Sequence, residues 1–422
     1  MTQAVCGGLA PVRTVLHNGV VILGHESHAV PTVALNATFQ VGSAQDPDDR
    51  PGVAYLTRRT VDRGTPFRSA GDIAATLDDR GVSLRTSVTR HTFSLSCVCL
   101  PEDFDEILGL VADIARHAIF PDVELEKRRL EAITSVREDQ DDPARVAFDL
   151  LSELLYGRRH PYGRSLKGTV ASLERVERSH LLEYQRCFLT PSSLTIAIAG
   201  SVSAPAALAS AERVFADWSG RTRRHEPIPA PPARSARVVQ FREMPGKSQA
   251  DIAYGFPTIR RMDPRFHAYW MMNNILGQFG LGGRLAENIR ERQGMAYYAF
   301  STLDPMAGEG PLVVQAGVDP ANVERAVEAI DTEVRRLGDL GPSVEELEET
   351  RQSLIGSIPR MLETNEGIAE FLLHVEQFGL GLDHDRQLPG LLQQVTMDDV
   401  REAAAEVLDP ARAAVAVAGP RP

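Results

Sequence analysis

The chain has 422 residues, 43% of them hydrophobic, more than one small core can use and suited to two or more domains of ordinary size. Its net charge of −12 argues against a nucleic-acid partner, which needs a basic surface, and would suit basic peptides. Four cysteines are too few for a disulfide scaffold, no run approaches the roughly 18 apolar residues that cross a bilayer, and the N-terminus lacks the basic and apolar regions of a secretory signal, so cytoplasm is the expected location.

In chain order, residues 12–43 read as two strands, VRTVLHNGVVILGHESH and PTVALNATFQVG, with Asn18-Gly19 as a hairpin signal. His25, Glu26 and His28 stand in an H-E-x-H spacing that a strand cannot turn into a zinc site, and they read as a solvated strand end. After a polar loop, PGVAYLTRRTVDRGT reads as a short helix with Pro in its first turn and a Gly stop. SLRTSVTRHTFSLSCVCL reads as one alternating strand that places Cys97 and Cys99 together on a packed face. PEDFDEILGLVADIARHAIF is an amphipathic helix, and ELEKRRLEAITSVREDQDDP is another helix ending at an acidic loop. His160, in the turn before Pro161, is expected to be structural because no second His is near in sequence. HLLEYQRCFLTPSSLTIAIAG is a helix followed by a buried strand.

Residues 219–235 are proline-rich and poor in apolar side chains, and they divide an N-terminal domain (1–218) from a C-terminal one (236–422). The second half opens with a strand pair in VVQFREMPGKSQADIAYGFPTIRR and continues into a helix, DPRFHAYWMMNNILGQF. Its end repeats the first half: VERSHLLEYQRCFLTPSSLTIAIAG and VTMDDVREAAAEVLDPARAAVAVAG superpose without gaps at an offset of 219, and Pro101 falls on Pro320 at the same offset. The chain is therefore read as a tandem duplication of an α+β unit, with strands arriving before helices and a last strand closing each half.

Between these repeats, Leu285–Phe300 reads as a helix that stops at Gly294 and hands over to a strand, so that Arg290 in the last turn and Tyr297 early in the strand could face one cleft. The run LGQFGLGGRLAENIRERQGMAY resembles the glycine-rich loop, S-R-L, helix and L-R-x-x-x-G-L-A-Y segment of the pitrilysin/insulinase family of zinc metallopeptidases, which includes the processing peptidases. The resemblance covers nearly the whole chain. It implies two similar halves, each a mostly antiparallel sheet covered by helices, forming a clamshell about a chamber. It also implies that Arg290 and Tyr297 bind substrate and stabilise the transition state, with Gly280, Gly282 and Gly283 near the substrate.

Catalytic members of the family carry the zinc motif H-x-x-E-H in the first half. Anchored on Gly52 and on Gly64-Thr65, this chain has Tyr55 at the first His, Arg58 at the Glu and Arg59 at the second His, with Ser135 at the third ligand and Glu131 and Glu138 nearby. Guanidiniums cannot replace those ligands, so no zinc is expected in this chain. The resemblance then implies a zinc-free subunit, inactive alone, that lends Arg290 and Tyr297 to a homologous zinc-bearing partner acting on peptides. The alternative is a catalytically inactive structural or peptide-binding homologue, and a homodimer in isolation is open to either.

Overall fold

The computed structural model describes residues 8–223, 227–278 and 283–421. The first half contains the strands β1 Val12–Val15, β2 Val21–Glu26, β3 Val33–Phe39, β4 Arg85–Val88, β5 Phe93–Cys99 and β6 Leu194–Gly200. Its helices are α1 Val53–Thr60, α2 Ala70–Asp78, α3 Phe104–His117, α4 Asp122–Asp141, α5 Pro143–Tyr156, α6 Val170–Arg175, α7 Arg178–Phe188 and α8 Ala204–Phe215. The second half supplies β7 Val238–Glu243, β8 Ala250–Pro257, β9 Ala296–Leu303, β10 Pro311–Val318 and β11 Ala414–Gly419. Its helices are α9 Phe266–Asn273, α10 Val323–Leu340, α11 Val344–Met361, α12 Asn365–Gln377, α13 His384–Gln394 and α14 Met397–Val407, with π-helical turns over Asn274–Gln278 and Ala286–Arg292.

The strands form two sheets, ordered β1-β2-β6-β3-β5-β4 and β7-β11-β8-β10-β9. Leaving out β1, the two orders are the same, which is the duplication seen in three dimensions. The fold is α+β, a duplicated, mostly antiparallel sheet with helices packed on it. Each half contributes one parallel pairing, β2 with β6 and β7 with β11. The strands read as an adjacent pair in the second half, β7 and β8, are therefore not neighbours, because β11 lies between them. The reason is composition: LTIAIAG and AVAVAG are buried at every residue and can only be central.

The stretch 83–100, read as one strand, is a hairpin. Val88 pairs with Phe93, the Thr89 amide bonds the Thr92 carbonyl at 2.8 Å, and the two threonine hydroxyls meet at 2.8 Å. The turn residues Arg90 and His91 carry none of the Gly or Asn signals of two-residue loops, so alternation ran through the turn unbroken. On β5, Cys97 and Cys99 are free thiols in the core, where burial pushes both up to about 12.

The described chain forms two compact units, and they cross the division drawn at the proline-rich segment. One takes residues 8–134, 166–223 and 357–388, and the other takes 135–165, 227–356 and 389–421. Each sheet is thus covered on one face by a helix from the opposite sequence half. In the first unit α12 brings Ile368, Ala369, Leu372 and Val375 onto Leu23, Ala34, Ala197 and Ala199. In the second unit α5 lays Ala147, Leu151 and Leu155 on Ala253, Val313, Ala414, Ala416 and Ala418. Alanines on the strands leave room for leucines on the helix, and each buried leucine contributes about 2 kcal/mol.

Residues 227–235 hold no helix or strand, yet they are fastened to the second unit. Ile228 packs against its core cluster, His160 Nε2 lies 2.9 Å from the Pro229 carbonyl, and His160 Nδ1 accepts from the Tyr162 amide at 2.9 Å. His160 accordingly has a structural place, as expected.

Candidate functional site

The segment that carries Arg290 and Tyr297 lies in the second unit. It is wound as a π-helical turn, Ala286–Arg292, rather than an α-helix. Leu285, Ala286 and Ile289 are buried beneath it, while Glu287, Arg290, Glu291 and Arg292 face outward. Gly294 takes the left-handed conformation (φ 61), and the Met295 amide reaches back to the Ile289 carbonyl at 3.0 Å, which closes the turn and launches β9.

Two partly buried clamps hold this turn, and the sequence reading named neither. Arg284 donates to both oxygens of Glu346, at 2.6 and 2.8 Å, and to the Gly341 carbonyl at 3.1 Å. Burial acts to raise the Glu346 carboxyl, but the Arg284 hydrogen bonds and the Ser343 amide outweigh it and hold the group below its ordinary range. Asn288 donates to the buried Glu333 at 2.6 Å. An exposed-looking Arg and Asn beside a glycine run carried no sign of these partners, which stand 45 or more positions away.

β9 is an edge strand, and Tyr297 sits at a β-bulge in it. Val318 of β10 faces Ala296 and Gly317 faces Tyr298, which leaves Tyr297 without an opposite residue. The bulge breaks the strict alternation read from the sequence and turns the Tyr297 side chain out, 84% exposed. Its neighbour does the opposite. Tyr298 crosses β10 above Gly317, where a Cβ would stand 2.6 Å from the ring, and its hydroxyl donates to Asp251 on β8. Burial raises both the Asp251 carboxyl and the Tyr298 phenol. Arg290, with a side chain 43% exposed, has among the described residues only Glu291 within ion-pair range, at 3.4 Å.

Of the three glycines expected near substrate, Gly280 and Gly282 lie outside the described residues. Gly283 is buried, and a Cβ there would stand 2.7 Å from the Gly277 Cα, so close packing of two chain segments accounts for that glycine.

In the first unit, α1 starts after Gly52 (φ 101), which puts Pro51 ahead of the helix, and it ends at Thr60, short of Gly64. It presents Tyr55, Arg58 and Arg59 as the spacing predicts, and all three are engaged. Arg59 donates to Glu131 of α4 at 2.7 Å and to the Tyr55 hydroxyl at 3.4 Å. Glu131 also receives Arg128 at 2.8 and 2.7 Å, and these two arginines hold its carboxyl low. Arg58 donates to the Thr86 carbonyl of the edge strand β4 at 2.9 Å and stacks over Tyr55 at 5.7 Å.

These residues do not fit zinc. A guanidinium has no lone pair to give, and Arg59 supplies to Glu131 the positive charge that a metal would otherwise bring. Ser135, one turn along α4 from Glu131, is half-buried. Among the described residues no three His, Cys, Asp or Glu side chains converge as a metal would need. His25, Glu26 and His28 do not converge either: His28 Nε2 meets Glu26 at 2.9 Å on an exposed strand end, while burial holds His25 below its ordinary value.

A duplicated α+β sheet of this strand order is the build of one class of peptidase chain. The chain belongs to the insulinase family, peptidase family M16. The model for "Insulinase (Peptidase family M16)" matches residues 21–170 and that for "Peptidase M16 inactive domain" matches 175–354. Among curated relatives, the uncharacterized zinc protease YmxG of Bacillus subtilis is 24% identical over 352 residues, covering 83% of this chain and 84% of its own length. An uncharacterized zinc protease of Mycobacterium leprae is 27% identical, over 97% of this chain and 91% of that one. The fold matches a peptidase M16 inactive domain from Pseudomonas fluorescens with TM-score 0.91 and 24% identity, over 98% of both chains. It matches a protease from Helicobacter pylori with TM-score 0.89 and 14% identity, over 98% of this chain and 100% of that one. Among the described residues no helix is long and apolar enough to cross a membrane.

Proposed function

We propose that this chain is the zinc-free subunit of a two-chain peptidase, which lends Arg290 and Tyr297 to a homologous zinc-bearing partner. The observation that carries the reading is the opposite fate of the two motifs. Tyr55, Arg58 and Arg59 are committed to Glu131 and to the β4 backbone, whereas Tyr297 is turned out by a bulge and Arg290 lies exposed one turn before the strand begins. An aromatic with a polar tip left 84% exposed on a sheet edge suits a ligand better than a core.

In this reading the partner activates water, and this chain binds and orients. An extended peptide adds along the edge of β9 through main-chain hydrogen bonds. Tyr297 donates its hydroxyl proton toward the oxygen on which charge develops at the scissile carbonyl, and Arg290 holds a neighbouring substrate carbonyl or steadies that hydroxyl. The net charge of −12 favours basic peptides, and a cytoplasmic site of action fits the same picture.

The test is reconstitution. The purified chain should cleave no peptide by itself. Mixed with a homologue that carries H-x-x-E-H, it should form a complex whose cleavage of basic peptides is abolished by a chelator and restored by zinc. Cleavage by this chain alone, or a complex no faster than the partner alone, would overturn the proposal.

A further inference from the structure

β7 is an edge of the second sheet, and all six of its residues, VVQFRE, are exposed; Val239 is 61% exposed, and Val238 and Phe241 are 37% each. Its counterpart in the first unit, β2, is covered twice: β1 pairs antiparallel along its outer edge, and α8 packs on it. Among the described residues the second unit has no equivalent of either. Val238, Val239 and Phe241 give this edge exposed apolar side chains, and it carries neither Pro nor a bulge, so it is a template for a strand that also matches its charges Arg242 and Glu243.

The hydrogen-bond parity shows which groups are free to pair. β7 runs parallel to β11, with Val238 N donating to the Ala413 carbonyl at 3.1 Å and Met244 N to the Gly419 carbonyl at 2.8 Å. Even-numbered residues therefore bond inward, and the amides and carbonyls of Val239, Phe241 and Glu243 point out from the sheet.

We propose that β7 is the contact edge of a homodimer, in which β7 of a second copy adds antiparallel about a two-fold axis at Gln240. Only registers that set odd residues against odd residues satisfy the outward row. The one centred on Gln240 sets Val239 opposite the second copy's Phe241, and Arg237 opposite its Glu243, each twice. These are a β-branched–aromatic pair and an opposite-charge pair, both stabilising across antiparallel strands. It also sets Val238 opposite Arg242, whose aliphatic stem can cover it. Centring on Phe241 instead would put Val239 opposite Glu243 and Arg237 opposite Pro245, losing both matched pairs. Arg237 already holds Asp331 at 2.9 and 2.7 Å, and Glu243 holds Arg421 at 3.2 Å. Each end of the joined strands thus becomes a row of alternating sign, Asp331, Arg237, Glu243, Arg421. The contact is isologous, so it closes at two copies.

Sedimentation over a micromolar concentration series should show a monomer–dimer equilibrium. Val239→Pro removes an outward amide that the protein's own sheet does not use, so it should weaken the dimer roughly tenfold or more while leaving the melting temperature near wild type. Phe241→Lys, which leaves the backbone intact, should do the same and decides the matter if the proline variant misfolds. Gln240→Cys should form an oxidised dimer, because non-hydrogen-bonded antiparallel partners stand about 4.5 Å apart at Cα, within disulfide reach. A wild-type chain that stays monomeric throughout, or a dimer that neither substitution weakens, would overturn the proposal. Cross-linking by Phe241→Cys in place of Gln240→Cys would overturn the register.

Discussion

Tyr297 and Tyr298 are chain neighbours with opposite environments, and substitution should separate their roles. Tyr297→Phe in the reconstituted complex should lower kcat by about two orders of magnitude, the effect of losing one oxyanion donor, with assembly and melting temperature unchanged. Tyr298→Phe deletes the donor to buried Asp251 and should cost about 1–3 kcal/mol of stability in thermal or denaturant unfolding. An unchanged kcat in the first variant would remove the catalytic role. The sequence placed Arg290 at the end of a helix and Tyr297 on the strand after it; the Gly294 stop and the strand are where those local signals put them, but the helix is a π-helical turn. It could not show that Tyr297 is turned outward, because the bulge depends on how β9 registers against Gly317 and Val318 of a strand that follows it. For the same reason Glu131 could be named only as a nearby carboxylate. Its bond to Arg59 needs the fold that brings α4 to α1.

The π-helical turn Ala286–Arg292 is short, and its position rests on the side chains that hold it more than on its own backbone. Glu346 fastens Arg284 at the turn's entrance, and its carboxyl lies below the ordinary range in the folded chain. The contribution is therefore fully present above the unfolded carboxyl pKa and is lost as pH falls through the folded value. Glu346→Gln should lower stability at neutral pH by about 1–2 kcal/mol, and its difference from wild type should fade below about pH 4. A difference that stays constant from neutral to acid pH would show that the pair is not the cause. Elements with strong local patterning, such as α3 and the buried β6 and β11, were legible from the sequence. The hairpin within 83–100 was not, since threonines closed a turn that glycine or asparagine usually marks.

At the scale of the whole chain, an offset of 219 was enough to reveal the duplication, because repeated sequence preserves register over long distances. The exchange of α5 and α12 left no such trace: an amphipathic helix records that one face is buried, and says nothing about which sheet buries it. The exchange predicts how the chain tolerates division. Cut within the proline-rich segment, the fragment before the cut lacks α12 and leaves Leu23, Ala34, Ala197 and Ala199 uncovered, while the fragment after it lacks α5. Each should aggregate or remain unfolded when expressed singly, and the two should yield a soluble, cooperatively melting complex when expressed together. Independent folding of either fragment would mean the exchanged helix is dispensable. The same exchange sets a timetable during synthesis. The last strand of the first sheet is complete at Gly200, but the helix that covers it begins at Asn365. At about 5–20 residues per second, that apolar face waits roughly ten to thirty seconds on the ribosome for its cover. A nascent chain of this design depends on a chaperone or on slow local collapse for that interval, and hastening or delaying translation between the two points should change how much of it reaches the native state.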